Sequence, residues 1–149
     1  MGSGVEDLLL AIAQDSQVEL STRGRAVSAL GFVSTRLGHL FLERTVKQSA
    51  ASDDAGEKFL LRKAAVALGW LGGAEAPSLL GPLLQHPDPD VRLDAAIALG
   101  LTRSEEALGL LRARFAIEPV PLVRKHIGRQ IAGIEHAAEA AKPSRIPAP

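Results

Sequence analysis

The chain has 149 residues, the length of one ordinary domain, and 46% of them are hydrophobic although only 3% are aromatic. The apolar content is therefore mostly Ala, Leu, Val and Ile, a composition that favours helices and disfavours a β-sheet. Basic and acidic residues number 17 each, so the formal net charge of zero disfavours nucleic acid as a partner, and the absence of cysteine excludes disulfides and thiol chemistry.

No stretch approaches the run of about 20 apolar residues that a membrane-spanning helix needs. The first residues, Met1 to Gly4, lack the basic region of a signal peptide. These features slightly favour the cytoplasm over the periplasm as the compartment.

The first predicted helix, Val5 to Ala13, is apolar on more than one face. Something should therefore cover its apolar side chains, among them Leu9 and Ile12. We favour a preceding segment of a larger parent chain, in which this helix is the second of an upstream hairpin. The alternative is contact with another copy of the chain, which would give a weak homo-oligomer.

A short pattern then recurs along the chain and indicates an internal repeat. Ala26 to Gly31, Ala64 to Gly69 and Ala95 to Gly100 share an Ala-Leu-Gly ending, at successive offsets of 38 and 31 residues. A fourth, weaker copy runs from Val123 to Ala132. The extra length between the first two copies falls in the polar stretch around 48–56.

Each copy is predicted to be a helix. Asp88 is placed to cap one of them and Pro89 to begin it, because proline has no N–H to leave unsatisfied at the first helical position. Ser104 is placed to cap the helix that follows. The small residues before Gly100, including Ala96, should face a neighbouring helix. We predict turns near 15–17, 49–56, 72–75, 86–88, 101–103 and 117–119.

One helix-turn-helix unit of this size cannot enclose its own apolar face and must stack on its neighbours. The sequence therefore predicts an all-α fold, an α-solenoid of about four helical hairpins over residues 1–141. The last helix, roughly 120–141, is expected to cap the stack. Residues 142–149 contain three prolines and should form a flexible tail.

The second and third copies carry a family resemblance. The run contains Ala-Ala-x-Ala-Leu-Gly-x-Leu-Gly from Ala64, then Leu79-Leu80, Leu83-Leu84 and Asp88-Pro89-Asp90-Val91-Arg92. It resembles the HEAT-like repeats named for phycobilisome lyases, closely over 59–117 and more weakly over 19–47 and 119–134. The resemblance implies a right-handed stack of hairpins, which many bacterial proteins use to bind other proteins. The repeat name does not imply lyase activity.

The resemblance also implies that Asp88 or Asp90, together with Arg92, bonds to adjacent units. Arg23 and Arg124 stand at the position of Arg92 in the first and last copies, whereas the second copy has a leucine there. Pro82 departs from the repeat pattern and should interrupt a short helix.

Catalytic and metal-binding patterns are weak. The histidines His39, His86, His126 and His136 are scattered, and the His-Glu pairs that mark iron-binding HEAT-like hydroxylases do not occur. The serines and threonines fall in turns or caps, and a thin solenoid offers few deep pockets. We therefore predict no metal, no cofactor and no enzymatic activity.

Candidate partner-binding residues are Trp70, Arg62, Arg92 and Arg124. Trp70 is the single tryptophan, and tryptophan and arginine are frequent at interface hot spots, although the ring could instead fill a gap between helices. Arginines and lysines that recur with the repeat, namely Arg62, Lys63, Arg92, Arg124 and Lys125, could align as a basic ridge. Stacking contacts within the solenoid are the alternative use of the arginines.

Two functional hypotheses follow. The first is a protein–protein interaction scaffold whose ligand lies along the second helices of the hairpins. The second is a lyase-like or chaperone subunit that binds a prosthetic group or modifies a partner protein. An open mixed surface would favour the first, and a large apolar groove with buried polar groups the second.

Overall fold

The computed structural model describes residues 4–143. Over this range the chain forms eight α-helices and one 3₁₀ helix, and no strand. They are α1 (Gly4–Gln14), α2 (Leu20–Val33), α3 (Arg36–Ser49), α4 (Ala55–Leu71), α5 (Ala76–Leu80), the 3₁₀ helix (Gly81–Gln85), α6 (Pro89–Thr102), α7 (Glu105–Ile117) and α8 (Pro121–Ala140). The predicted all-α fold is confirmed. The predicted tail lies, from residue 144 onward, outside the described residues.

The helices begin where capping residues were predicted. The Asp88 carboxylate accepts a hydrogen bond of 2.9 Å from the Asp90 N–H, and Pro89 is the first helical residue. The Ser104 hydroxyl accepts one of 3.1 Å from the Ala107 N–H. Each side chain satisfies a backbone donor that the first turn leaves without a partner.

Two local features complete the helix assignment. The chain changes from α-helix to 3₁₀ helix at Gly81, beside Pro82, as the proline predicts. A tight turn that the sequence did not indicate separates α2 from α3. There Ser34 takes a left-handed conformation with φ of 52°, and the Thr35 hydroxyl accepts a hydrogen bond from the Gly38 N–H.

The helices form four hairpins. They pair α1 with α2, α3 with α4, α5 and its 3₁₀ extension with α6, and α7 with α8. Within each pair the helices pack more extensively than the two helices that the next loop connects, such as α2 and α3. This differs from the predicted unit, in which the helix capped by Asp88 pairs with the helix capped by Ser104. It also makes α1 the first helix of a hairpin with α2, not the second helix of an upstream one.

The second helices pack against one another at close range. A Cβ on Gly31 would lie 2.9 Å from the Cα of Ala67, and one on Gly69 would lie 2.5 Å from the carbonyl oxygen of Ala98. In the first two copies, the glycine that ends Ala-Leu-Gly therefore touches the backbone of the next copy, whereas a Cβ on Gly100 would meet the side chain of Gln130. Ala96 is fully buried, as predicted.

The first helices scarcely contact one another. We call the exposed surfaces of α2, α4, α6 and α8, the layer whose helices pack most closely on one another, the inner face, and the exposed surfaces of the first helices the outer face. A single apolar core runs between the two layers. Its largest fully buried side chains include Leu30, Leu42, Leu61, Leu68, Leu80, Leu84, Leu99, Leu111 and Ile127. Among the residues described, no helix is long and apolar enough to cross a membrane.

Candidate binding surface

Two aromatic side chains are exposed at equivalent positions of the inner face. Phe32 and Trp70 each follow the glycine that makes the close contact with the next helix. Their ring centroids are 5.8 Å apart with an interplanar angle of 41°, and the residues are 69% and 56% exposed. Neighbouring exposed aromatic rings of this kind are typical of interaction surfaces. The position of Trp70 thus suits the partner-binding role predicted for it.

A groove of about 490 Å³ adjoins this aromatic pair. It is lined on α2 by Ser21, Gly24, Arg25, Ser28, Ala29 and Phe32, and on α4 by Phe59 and Lys63. A Cβ on Gly24 would collide with the ring of Phe59, so this wall of the groove depends on glycine. We call it the α2–α4 groove.

Two cations border the α2–α4 groove at equivalent positions of the two helices. Arg25 and Lys63 are both exposed, and within residues 4–143 neither forms an ion pair. The Lys63 ammonium lies 5.3 Å from the centroid of the Phe59 ring. The groove therefore combines aromatic surface with positive charge that no neighbouring carboxylate neutralises.

Arg62 has a different role from Lys63, the residue next to it. Its Nε donates a hydrogen bond of 2.7 Å to Asp94, and its guanidinium lies 3.7 Å from Asp90. Lys58 contacts Asp88 at 3.0 Å, and this hydrogen bond lowers the pKa of the Asp88 carboxyl. These pairs connect α4 to the start of α6, so they join adjacent units at the acidic residues that the resemblance indicates.

Arg92 is buried, with only 6% of its surface exposed. Its Nε and Nη2 donate to the two carboxylate oxygens of Glu118 at 2.9 and 2.8 Å, and its Nη1 donates to the carbonyl oxygens of His86 and Pro87. Arg114 donates a further hydrogen bond to Glu118. The predicted partner-binding role of Arg92 does not fit this position, because its guanidinium is fully engaged inside the stack.

Burial raises the pKa of Glu118, but the hydrogen bonds from Arg92, from the Val120 N–H and from Arg114 outweigh burial and lower the pKa from 4.5 to about 2. Each of these donors stabilises the ionised carboxylate. A shift of this size corresponds to roughly 3 kcal/mol of preference for the charged form in the folded state. Glu118 is therefore charged in the folded chain at any pH well above 2.

We expect Glu118 to make the stability depend on pH between about 4.5 and 2. Because its pKa is lower in the folded than in the unfolded chain, its contribution is complete above that window and is lost as the pH falls through it. Urea unfolding at a series of pH values measures the loss. Glu118→Gln does not titrate at this position and should lack this part of the dependence. Parallel losses of stability in both proteins through this window would contradict the assignment.

Arg124 lies elsewhere on the stack. Its guanidinium carbon is 4.8 Å from the centroid of the Phe115 ring, so the contact links α8 to α7 within the last hairpin. Of the four predicted residues, only Arg62 and Trp70 therefore share a helix, α4. Arg92 is buried inside the stack, and Arg124 lies against Phe115 in the last hairpin, two hairpins beyond the one that carries Trp70.

The histidines lie on different elements. His39 is on α3, His86 precedes α6, and His126 and His136 are on α8. Between residues 4 and 143, no three side chains of His, Asp or Glu converge in a way that would hold a metal ion.

Sequence reasoning missed part of this surface, namely Phe32, Phe59 and Arg25. A signal for two of them exists, because Phe32 and Arg25 precede Trp70 and Lys63 by 38 residues, the same offset that separates the first two Ala-Leu-Gly copies. Residues at equal positions in stacked units lie side by side. Extending the repeat alignment to its exposed positions would have identified them.

The repeat pattern is shared with a known family. The family described as HEAT repeats matches residues 44–132, more than half of the chain. The chain belongs to the HEAT repeat family. The match confirms the repeat fold, while it does not confirm the phycobilisome-lyase type that the sequence resembles. No curated protein sequence matches the chain.

A solved structure of human deoxyhypusine hydroxylase in complex with glycerol has a similar fold. The similarity has a TM-score of 0.69 at 25% sequence identity and covers 97% of this HEAT repeat chain. It covers 49% of the hydroxylase, so the chain spans about half the length of that protein.

This similarity corrects one expectation. We predicted that the chain is not an enzyme, partly because a thin helical stack was expected to lack shelter for catalysis. That prediction is wrong, because a helical stack of this kind makes up about half of an enzyme. The physical error was to judge one stack by its own pockets, since a site can also form between such a stack and further protein.

Proposed function

We propose that this HEAT repeat chain recognises a partner protein through its inner face, at Phe32, Trp70 and the adjoining α2–α4 groove. The exposed aromatic pair is the observation that carries the proposal, because burying two large solvent-exposed rings against a partner is favourable in free energy. The close Gly–Ala contacts fix α2 and α4 relative to each other. The surface is thus ordered before the partner arrives, which lowers the entropic cost of binding.

The shape of the surface favours a protein ligand over a buried prosthetic group. The α2–α4 groove and the larger groove of about 550 Å³ between α1 and α3 are both open to solvent. A prosthetic group is usually enclosed on most of its surface, whereas a peptide segment can lie in an open groove. Prosthetic-group binding, and the phycobilisome-lyase type of repeat, are therefore less well supported than partner binding.

A second candidate follows from the similarity to deoxyhypusine hydroxylase, namely that the bound protein is a substrate. An iron centre of the HEAT-like hydroxylase type does not fit the residues described, because their His, Asp and Glu side chains do not converge. In this second candidate, the chain binds the substrate protein and residues from further protein complete the reaction site. Mass spectrometry of a bound peptide before and after incubation with cell extract distinguishes a substrate from an unmodified partner.

The test of partner binding is selection of ligands from a peptide display library on the purified chain. We expect the selected peptides to lose at least about tenfold in affinity on Trp70→Ser, since central aromatic residues dominate such interfaces. Trp70 is half exposed, so this substitution should leave the fold intact, which circular dichroism verifies.

The matched control is Leu40→Ser, which removes an apolar side chain of similar exposure, 49%, from the groove of the first helices. The selected peptides should bind this variant as they bind the parent chain. If Leu40→Ser abolishes peptide binding and Trp70→Ser does not, recognition lies on the surface of the first helices and the proposal is overturned. Failure to select any peptide would overturn it as well.

A further inference from the structure

The charges around the α2–α4 groove indicate the chemistry of its ligand. Arg25 and Lys63 border it, and neither meets a carboxylate within residues 4–143. Farther along the inner face the basic side chains are neutralised instead, because Lys58 and Arg62 are paired with the carboxylates at the start of α6. The unneutralised positive charge of this part of the inner face is therefore concentrated at the groove.

The same groove offers apolar surface between its cations. Its lining contains the rings of Phe32 and Phe59 and, between them, the small residues Gly24 and Ala29. This volume suits a large aliphatic or aromatic side chain. A ligand that places an apolar side chain here also brings its flanking residues near Arg25 and Lys63.

We infer that the partner presents an acidic segment with an apolar anchor, in which two carboxylates flank a large apolar side chain. The inference rests on the proposed function and adds the chemistry of the partner. Arg25 and Lys63 occupy equivalent positions on neighbouring helices, whose axes pack roughly 8–10 Å apart. In an extended polyproline II segment, residues i and i+3 lie on one side about 9 Å apart. Acidic residues three positions apart therefore match the spacing of the two helices that carry the cations.

The experiment uses three synthetic peptides that differ only at the two flanking positions. One carries Glu-Pro-Leu-Glu in a neutral Gly/Ser context, one has Gln at both acidic positions, and one has Lys there. The emission of Trp70, the single tryptophan, reports binding, because its ring contacts Phe32 at the groove. We expect the Glu peptide to bind about tenfold more tightly than the Gln peptide. This advantage should shrink as salt is added, because the charges are exposed.

Charge removal from the protein provides the second half of the test. Arg25→Gln and Lys63→Gln should each lower the affinity for the Glu peptide by about two- to fivefold and leave the affinity for the Gln peptide unchanged. Arg44→Gln, the same change at an exposed arginine of the groove between α1 and α3, is the matched control and should leave the affinity for both peptides unchanged.

The outcomes separate this inference from the proposed function. Equal binding of the Glu and Gln peptides, or preference for the Lys peptide, overturns the acidic partner, and the library selection still decides whether the inner face binds protein. If selected peptides depend on Trp70 but carry no acidic residues, the inference is wrong and the proposed function stands. If selection itself fails, both are wrong.

Discussion

Replacement of Gly69 by alanine is expected to lower the free energy of unfolding by about 1–3 kcal/mol, the usual cost of inserting a methyl group into a close-packed contact. The new Cβ would lie 2.5 Å from the carbonyl oxygen and 2.7 Å from the Cα of Ala98. These are backbone atoms, which cannot rotate aside as a side chain can. The helices α4 and α6 would have to separate, and the loss appears as a lower urea midpoint.

The control is the same substitution at Gly109. This glycine lies within α7, and a Cβ on it would meet no side chain and no neighbouring helix within 4 Å. Alanine is the better helix former there, so Gly109→Ala should raise the free energy of unfolding by about 0.5–1 kcal/mol. The two variants should thus move the urea midpoint in opposite directions. A midpoint raised by both would show that α4 and α6 do not meet through their backbones.

Replacement of Arg92 by methionine is expected to lower the free energy of unfolding by about 3–5 kcal/mol, the range found when one partner of a buried ion pair is removed. Glu118 would keep the hydrogen bond from Arg114 but lose the two from Arg92, and the carbonyl oxygens of His86 and Pro87 would lose their shared donor. Urea unfolding at neutral pH measures the change.

The comparison variant is Arg112→Met, which removes a salt bridge to Glu135 in which both side chains are about half exposed. Exposed pairs contribute at most about 1 kcal/mol, so this variant should unfold close to the parent chain. The double variant Arg92→Met with Glu118→Met should recover part of the loss, because it leaves no buried charge of that pair without its partner. Equal effects of Arg92→Met and Arg112→Met would show that the Arg92 pair is solvated.

Much of the fold could be predicted because its determinants are local. Asp88, Pro89 and Ser104 mark helix starts through contacts with residues two or three positions away, and the recurrence of Ala-Leu-Gly marks the helices that stack. The turn at Ser34 was missed because neither glycine nor proline marks it. Its conformation is stabilised instead by the cap that Thr35 provides.

The pairing of helices into hairpins could not be predicted from the same signals. The turns before and after α6 are both short and both end in a capping residue, so local sequence does not distinguish the neighbour on which α6 packs more extensively. The role of Arg92 depends on Glu118, which lies 26 residues away beyond another helix. Trp70 was identified by its residue type alone, whereas Phe32 required knowledge of which helices lie side by side.

The Gly–Ala contacts also have a mechanical consequence. Spacing that is set by backbone atoms cannot be altered by rotamer changes, so the row formed by α2, α4 and α6 resists both compression and sliding. The first helices contact one another much less, so their spacing can change at smaller cost. Bending of the stack should therefore change the spacing of the first helices while the spacing of α2, α4 and α6 stays fixed. The distance between Arg25 and Lys63 should stay nearly constant during such motion.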